Sequence, residues 1–338
     1  MIDFRYHLVS IVAVFLALAI GIVLGSTELR GPALNALEGT SKALSAQLNA
    51  ANTANSSLQQ QVNGDKAFAQ AAEPVLLAHL LDGKRAVIVT APGAPAGVVN
   101  GITTALTDAG ASVSGQVALT TKFADTAGSN LSLLNQLTQQ VTPSGMTLAN
   151  GSPQLQAAQV LASAILSSSS AQPGSHPSGS QSGNSQTSQT ILQSYAQAGF
   201  LTVSGQPASG ATLAVIVTPA TPPAGGNADP ANQAIVSLAT EFGQASQATV
   251  VAGPSAASGP GTAISAVRAS GAANSASSVD DADAVSGQIV TIQALEQQVN
   301  GHKPASYGTQ QAASSAAPSP APTPSGSGST TSTTKGKK

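Results

Sequence analysis

The densest group of possible metal ligands is the acidic run Val279-Asp280-Asp281-Ala282-Asp283, in a chain with only 14 Asp and Glu residues. Carboxylate oxygens bind hard cations, so Asp280, Asp281 and Asp283 are candidate metal ligands. His302, just after the next predicted helix, is the fourth candidate. The same carboxylates could equally lie at the N-terminus of that helix and stabilise its dipole, so a structural role stays open.

No other pattern indicates catalysis or nucleotide binding. The turn at 91–97 lies where a doubly wound fold would bind phosphate, but it has neither a G-x-G-x-x-G pattern nor a Lys-Ser/Thr ending. Its two prolines also remove amide donors that a phosphate would need. A G-x-S-x-G nucleophile elbow is absent as well. We therefore expect no enzyme and no organic cofactor.

The composition excludes further classes of protein. Lys and Arg number 12, the formal net charge is −2, and only 8% of residues are charged. Without a basic patch the chain is not expected to bind nucleic acid. The chain has no cysteine, which excludes disulfides, thiolate nucleophiles and cysteine-based metal sites.

The N-terminal region contains one segment long enough to cross a membrane. Residues 8–25 carry no charge, and as a helix they would be about 27 Å long. We expect a signal-anchor helix, with residues 1–7 in the cytoplasm and the bulk of the chain extracytoplasmic in the cell envelope. A cleaved signal peptide ending before Ser26 is the alternative.

Two patterns near the N-terminus predict a parallel homodimer. Small residues that let two membrane helices approach closely recur every four positions at Ala13, Ala17, Gly21 and Gly25. Gly31-Pro32 is predicted to break the helix, and 32–64 then form a coiled-coil stalk whose heptad positions are Leu34, Leu37, Ser41, Leu44, Leu48, Ala51, Asn55, Leu58 and Val62. Asn55 at a core position favours a parallel, in-register pair. The alternative is an amphipathic helix that packs on its own domain.

Residues 65–307 are predicted to form an α/β domain with a mostly parallel sheet. The expected strands are 86–90, 113–119, 200–203, 213–217, 249–252 and 263–267. The expected helices are 98–108, 131–141, 155–166, 191–198, 231–242 and 287–299. The Ser/Gln-rich stretch 167–190 is predicted to be a disordered insertion, and the Pro/Ser/Thr-rich stretch 308–338 a disordered tail.

Two stretches resemble a known family when they are taken together. The first comprises Phe4-Arg5-Tyr6-His7, Ser10, Ala13-Val14-Phe15-Leu16-Ala17-Leu18-Ala19, Gly21 and Leu24-Gly25-Ser26. The second comprises Val279-Asp280-Asp281, Gly287, Thr291, Ala294-Leu295, Val299-Asn300-Gly301 and Tyr307-Gly308. With the heptad segment between membrane helix and α/β region, they resemble the mycobacterial copper transport protein B (MctB) family over most of residues 1–308.

The resemblance implies a cell-envelope protein of copper transport and copper homeostasis that limits copper accumulation, with copper ion as a possible ligand. The residues themselves leave a second interpretation open. Cu(I) prefers Cys and Met sulfur, and Met146 is the one internal methionine of a chain without cysteine. The alternative is therefore a dimeric envelope scaffold that binds other envelope proteins and has no metal chemistry of its own.

Overall fold

The computed structural model of this chain describes residues 4–167, 181–310 and 312–319. They belong to two compact units, Met1–Ala67 and Phe68–Lys338. Most of the predicted insertion, 168–180, and most of the predicted tail, 320–338, lie outside the described residues.

The chain begins with a single long helix, α1 (Phe4–Leu77). The break predicted at Gly31-Pro32 is wrong, because α1 runs through both residues. A proline inside a helix removes one backbone hydrogen bond and tends to kink the helix, and long helical flanks on both sides can continue past it.

The α/β region follows, and helices separate most of its successive strands. The strands are β1 (Arg85–Thr90), β2 (Ser112–Leu119), β3 (Leu201–Gly205), β4 (Leu213–Val217), β5 (Ala248–Ala252), β6 (Ser277–Val279) and β7 (Ser306–Tyr307). The helices are α2 (Ala96–Asp108), α3 (Thr121–Ala124), α4 (Gly128–Val141), α5 (Pro153–Ile165), α6 (Gln181–Gln197), α7 (Pro230–Ala245), α8 (Ala263–Arg268) and α9 (Val285–Val299).

The seven strands form one sheet in the order β3-β2-β1-β4-β5-β6-β7. Strand β3 is antiparallel to β2, and every other pairing is parallel. Successive strand residues point to opposite faces. Val87 and Val89 therefore contact the core formed with α4 to α8, while Ile88 contacts the core formed with α2 and α9. The predicted α/β fold with a mostly parallel sheet is confirmed.

The stretch 263–267 was predicted to be a strand, and this is wrong because it forms helix α8. The Thr262 hydroxyl accepts a hydrogen bond from the Ser265 amide and caps the helix. Ile264 and Val267 then lie one turn apart and are both buried. A short apolar run fits a buried strand and a buried helix equally well, and here the cap decides between them.

The predicted insertion is shorter than expected at its C-terminal end. Helix α6 begins at Gln181, so residues 181–190 are helical rather than loop. Ile191, Leu192 and Tyr195 are buried in the core and anchor the second half of the helix. Once one turn is fixed, extension adds one hydrogen bond for each residue, so polar residues can join the helix.

Two short strands, β6 and β7, were not predicted. They have three and two residues, and serine supplies three of the five. The chain after Gly308 continues to pair with this edge of the sheet, since the Ser314 amide donates to the Ser306 carbonyl at 2.7 Å.

The β2–β3 pair contains two glycines directly opposite each other, Gly115 and Gly205. A Cβ at Gly115 would lie 2.5 Å from the Ser204 carbonyl oxygen. Gly205 has φ +70°, and a Cβ there would lie 2.9 Å from the Cα of Gly115. Neither position has room for a side chain.

Candidate functional site

The acidic loop of residues 280–283 connects β6 to α9 at the carboxyl edge of the parallel strands. Asp280 is fully buried there. Its Oδ2 lies 2.9 Å from Nη1 of Arg268, and its Oδ1 accepts the Thr309 amide at 2.9 Å. Both carboxylate oxygens are therefore engaged by the protein.

Arg268 extends this contact to the neighbouring strands. Its Nε donates to the Ser278 hydroxyl at 2.9 Å, and its Nη2 donates to the Tyr307 carbonyl at 2.8 Å. Gly308 adopts φ +138°, and a Cβ on it would overlap the Asp280 carboxylate. We call Arg268, Asp280 and Gly308 the clamp, because they join α8, β6 and the end of β7.

Asp281 is the carboxylate of the loop that has an oxygen without a hydrogen-bond partner. Its side chain is buried, and its Oδ1 has no hydrogen-bond partner in the structure. A Cβ at Gly287 in the first turns of α9 would overlap the Asp281 backbone, so glycine is needed at this approach. Burial, followed by repulsion from Asp280 and Asp283, raises the pKa of Asp281 to about 6.

Asp283 and His302 do not complete a metal site with these residues. Asp283 is exposed, and its Oδ1 accepts both the amide and the hydroxyl of Ser255 at 2.9 Å. His302 is exposed beyond the far end of α9, a helix of 15 residues and about 22 Å. Across the described residues, no three His, Cys, Asp or Glu side chains are grouped so that they could hold a metal ion.

The sulfur donor also lies apart from the acidic loop. Met146 is half-buried and packs against the core formed with α4 to α8. The acidic loop belongs to the opposite core, where Ala282 packs with α2 and α9. The described residues therefore do not offer the sulfur-rich set that Cu(I) prefers.

The α/β region also has a cleft that the sequence did not predict. Its volume is about 290 Å³. We call it the switch-point cleft, because α2 follows β1 onto one face of the sheet and α7 follows the adjacent β4 onto the other. Its lining is Ala91, Pro92, Gly93, Leu119, Thr120, Thr121, Phe123, Ala124, Pro219, Thr221, Pro222, Pro223, Ala231, Asn232, Ala234 and Ile235.

Two features of the sequence could have indicated this cleft. The turn at 91–97 follows β1, and the Pro/Thr-rich segment 218–223 follows β4. Both follow strongly apolar strands. In open α/β sheets, ligands bind beyond the carboxyl ends of the strands where the connections diverge.

The N-terminal unit carries the remaining predicted features. Within α1, Arg5–Gly25 is long and apolar enough to cross a membrane, with a mean hydropathy of 2.9. The candidate dimerisation residues Ala13, Ala17, Gly21 and Gly25 lie in this segment. The heptad positions Leu37, Leu44, Leu48, Leu58 and Val62 have side chains that are 58 to 66% exposed.

These features define a class of protein: a doubly wound α/β domain preceded by a long helix with one membrane-length apolar segment. A family model described as "Copper transport outer membrane protein, MctB" matches residues 1–318, and the chain belongs to this family. The family is described by copper transport rather than by an enzymatic reaction.

Curated relatives agree with this assignment. The chain is 29% identical over 325 residues to "Copper transporter MctB" of Mycobacterium tuberculosis strain H37Rv, covering 93% of this chain and 98% of the relative. It is 28% identical over 327 residues to "Copper transporter MctB" of Mycobacterium leprae, with the same coverage.

Proposed function

We propose that this chain is a membrane-anchored cell-envelope protein that takes part in copper homeostasis and limits copper accumulation. The observation that carries the proposal is the family match over residues 1–318, which includes both the apolar helix and the α/β region. In this proposal residues 8–25 anchor the protein, 1–7 are cytoplasmic, and the α/β domain of 65–307 works on the extracytoplasmic side. The proposed role includes no catalysis.

We further propose that the protein acts as a parallel homodimer. A row of exposed leucines along a helix is an unfavourable surface in water, and a second copy would cover it. Asn55 within this row supports a parallel pairing in register, because two such side chains can hydrogen-bond to each other only when they face each other. The small-residue ridge of Ala13, Ala17, Gly21 and Gly25 supports the same arrangement within the membrane.

A dimeric envelope scaffold without metal chemistry is the second candidate. The observation that favours it is the state of the acidic loop, where Asp280 is held by Arg268 and Asp283 by Ser255. In this candidate the α/β domain binds another envelope protein, and any effect on copper passes through that partner.

A deletion strain tests the proposed role directly. We expect deletion to raise intracellular copper and to increase sensitivity to copper in the medium. The full chain should restore both, whereas a truncation that keeps only residues 1–30 should restore neither. Unchanged copper content and unchanged copper sensitivity in the deletion strain would contradict the copper role. The envelope scaffold would then be the remaining candidate.

A further inference from the structure

The switch-point cleft is independent of the copper role and of the proposed dimer. Its lining is entirely uncharged, and four of its members are prolines: Pro92, Pro219, Pro222 and Pro223. The prolines fix the backbone of the two loops that border the cleft and contribute no N–H donors. Such a cleft is preformed and offers few polar contacts.

An anionic ligand is disfavoured at the N-terminus of α7, which borders the cleft. Helix α7 begins with Pro230, which has no N–H, and Asp229 caps it by accepting the Ala231 amide at 2.9 Å. The second carboxylate oxygen of Asp229 accepts the Gly225 amide at 3.2 Å. The N-terminus therefore already carries a negative charge and has fewer amides to offer, which works against a phosphate or carboxylate.

Lys122 and Asp125, the charged residues in and just after α3, are also engaged elsewhere. Lys122 donates to the Ala198 carbonyl at 2.8 Å, and its Nζ lies 4.8 Å from the centre of the Phe200 ring. Asp125 accepts the Ala127 amide and the Asn130 side-chain amide. Neither residue lines the cleft.

Two of the four polar side chains of the lining are committed to the fold. The Thr120 hydroxyl donates to the Gly199 carbonyl at 2.7 Å. The buried Asn232 donates its side-chain amide to the carbonyls of Gly226 and Gly261, each at 2.7 Å. What the cleft presents to a ligand is therefore predominantly hydrocarbon.

We propose that the switch-point cleft binds an uncharged, predominantly apolar small molecule, of a size up to two linked aromatic rings. The buried Phe123 and Ile235 form the floor of the cleft, and the half-buried Pro92 and Pro219 supply apolar contact area. Prolines on two sides hold the cleft open without a ligand, so binding requires little ordering of the protein.

Photo-crosslinking of the full chain in detergent tests this proposal. The probe is benzophenone, an uncharged molecule of two aromatic rings that inserts into nearby C–H bonds on illumination. We expect enriched labelling of peptides containing residues 119–124 and 219–235, located by mass spectrometry. Labelling of the Arg5–Gly25 segment by probe dissolved in the detergent serves as the internal reference.

Two variants fill the cleft from different elements. Ala231→Trp on α7 and Thr121→Trp on α3 place a large side chain at exposed lining positions, and each should lower cleft labelling by at least about fivefold relative to the reference. Gln233→Trp is the matched control, because Gln233 is exposed on the same turn of α7 and does not line the cleft. It should label like the wild type.

The anionic analogue 4-benzoylbenzoate separates the proposed chemistry from anion binding. We expect it to label the cleft peptides at least about fivefold less than benzophenone does. Equal labelling by the anion, or cleft labelling of the wild type no higher than that of other surface peptides, overturns the proposal. Unchanged labelling in both filled variants, each with a native circular dichroism spectrum, also overturns it.

Discussion

At the scale of single residues, the clamp explains why the acidic loop is held so tightly. The buried Asp280 carboxylate has Arg268 as its counter-charge, and the guanidinium also satisfies two acceptors on β6 and β7. A buried charge that loses its partner is costly, whereas the intact pair is close to neutral in energy. Removing one member is therefore a sharper test than removing both.

We predict that Arg268→Met lowers the free energy of unfolding by about 3–5 kcal/mol, because it leaves the Asp280 carboxylate buried without a counter-charge. The double variant Arg268→Met/Asp280→Asn should recover part of this loss. Lys42→Met is the control, since it removes only the exposed pair with Glu38 and should change the stability by at most about 0.5 kcal/mol. Denaturant unfolding of the full chain in detergent, followed by circular dichroism, measures all three.

Asp281 is predicted to make stability depend on pH. Its pKa is raised to about 6 in the folded state, so folding takes up a proton between about pH 4 and pH 6. The free energy of unfolding should therefore fall as pH rises through this range. Asp281→Asn should remove that slope and stabilise the protein at pH 7.5 by about 1–2 kcal/mol, with no gain at pH 4.

Asp65→Asn provides the control for this prediction, because Asp65 is exposed on α1. Its unfolding free energy should keep the wild-type dependence on pH. A wild-type stability that is flat between pH 4 and pH 7 would contradict the burial of an ionisable Asp281.

The residues of the loop were predictable from the sequence, but their partners were not. Asp280, Asp281 and Asp283 stand out in a chain with so few charges. Arg268 and Thr309, which engage Asp280, lie in segments whose approach depends on the pairing of two very short strands. The described contacts of Asp280 are with Arg268 and Thr309, a structural role different from the helix-dipole role that the sequence left open.

At the scale of elements, long apolar strands and regular helices were predictable, and short ones were not. β1 and β4 are continuous apolar runs, and buried parallel strands have this pattern. α8 was misassigned because five residues carry too little periodicity, and β6 and β7 were missed because strand pairing outweighs the weak preference of serine for strands. The switch-point cleft draws on loops from three strands and on α7, so no single segment could reveal it.

The parallel pairing of the proposed coiled-coil stalk can be tested by cysteine crosslinking. We predict that Leu37→Cys and Leu58→Cys each form a disulfide-linked dimer on mild oxidation in detergent, because a parallel pair places equal positions side by side. The natural chain contains no cysteine, so each variant reports on one position alone. Non-reducing gel electrophoresis gives the result.

Gln60→Cys is the matched control, since residue 60 falls on the outer side of the predicted heptad and should remain monomeric on the gel. An antiparallel pair would link neither Leu37→Cys nor Leu58→Cys, because position 37 would then face the other end of the stalk. Absence of linkage in both variants would contradict the parallel dimer.

At the scale of the whole molecule, the chain belongs to a copper transport family but contains few of the soft ligands that copper(I) prefers. We predict that calorimetric titration of the full chain in detergent with Cu(I) shows no binding tighter than millimolar, because sulfur donors are scarce and the carboxylates of the acidic loop are engaged or buried. Micromolar or tighter binding would contradict this and would identify the chain as a direct carrier.

The Gly115–Gly205 pair has a consequence for how this sequence can vary over time. A Cβ on Gly205 would meet the Cα of Gly115, and a Cβ on Gly115 would meet the Ser204 carbonyl oxygen. A replacement at either position therefore meets backbone, and a second replacement opposite does not relieve the clash. A sequence with a single substitution at either position would therefore already disturb the β2–β3 pairing. As relatives are collected, we expect both positions to remain glycine together, and to change only in sequences where the β2–β3 pairing has itself been lost.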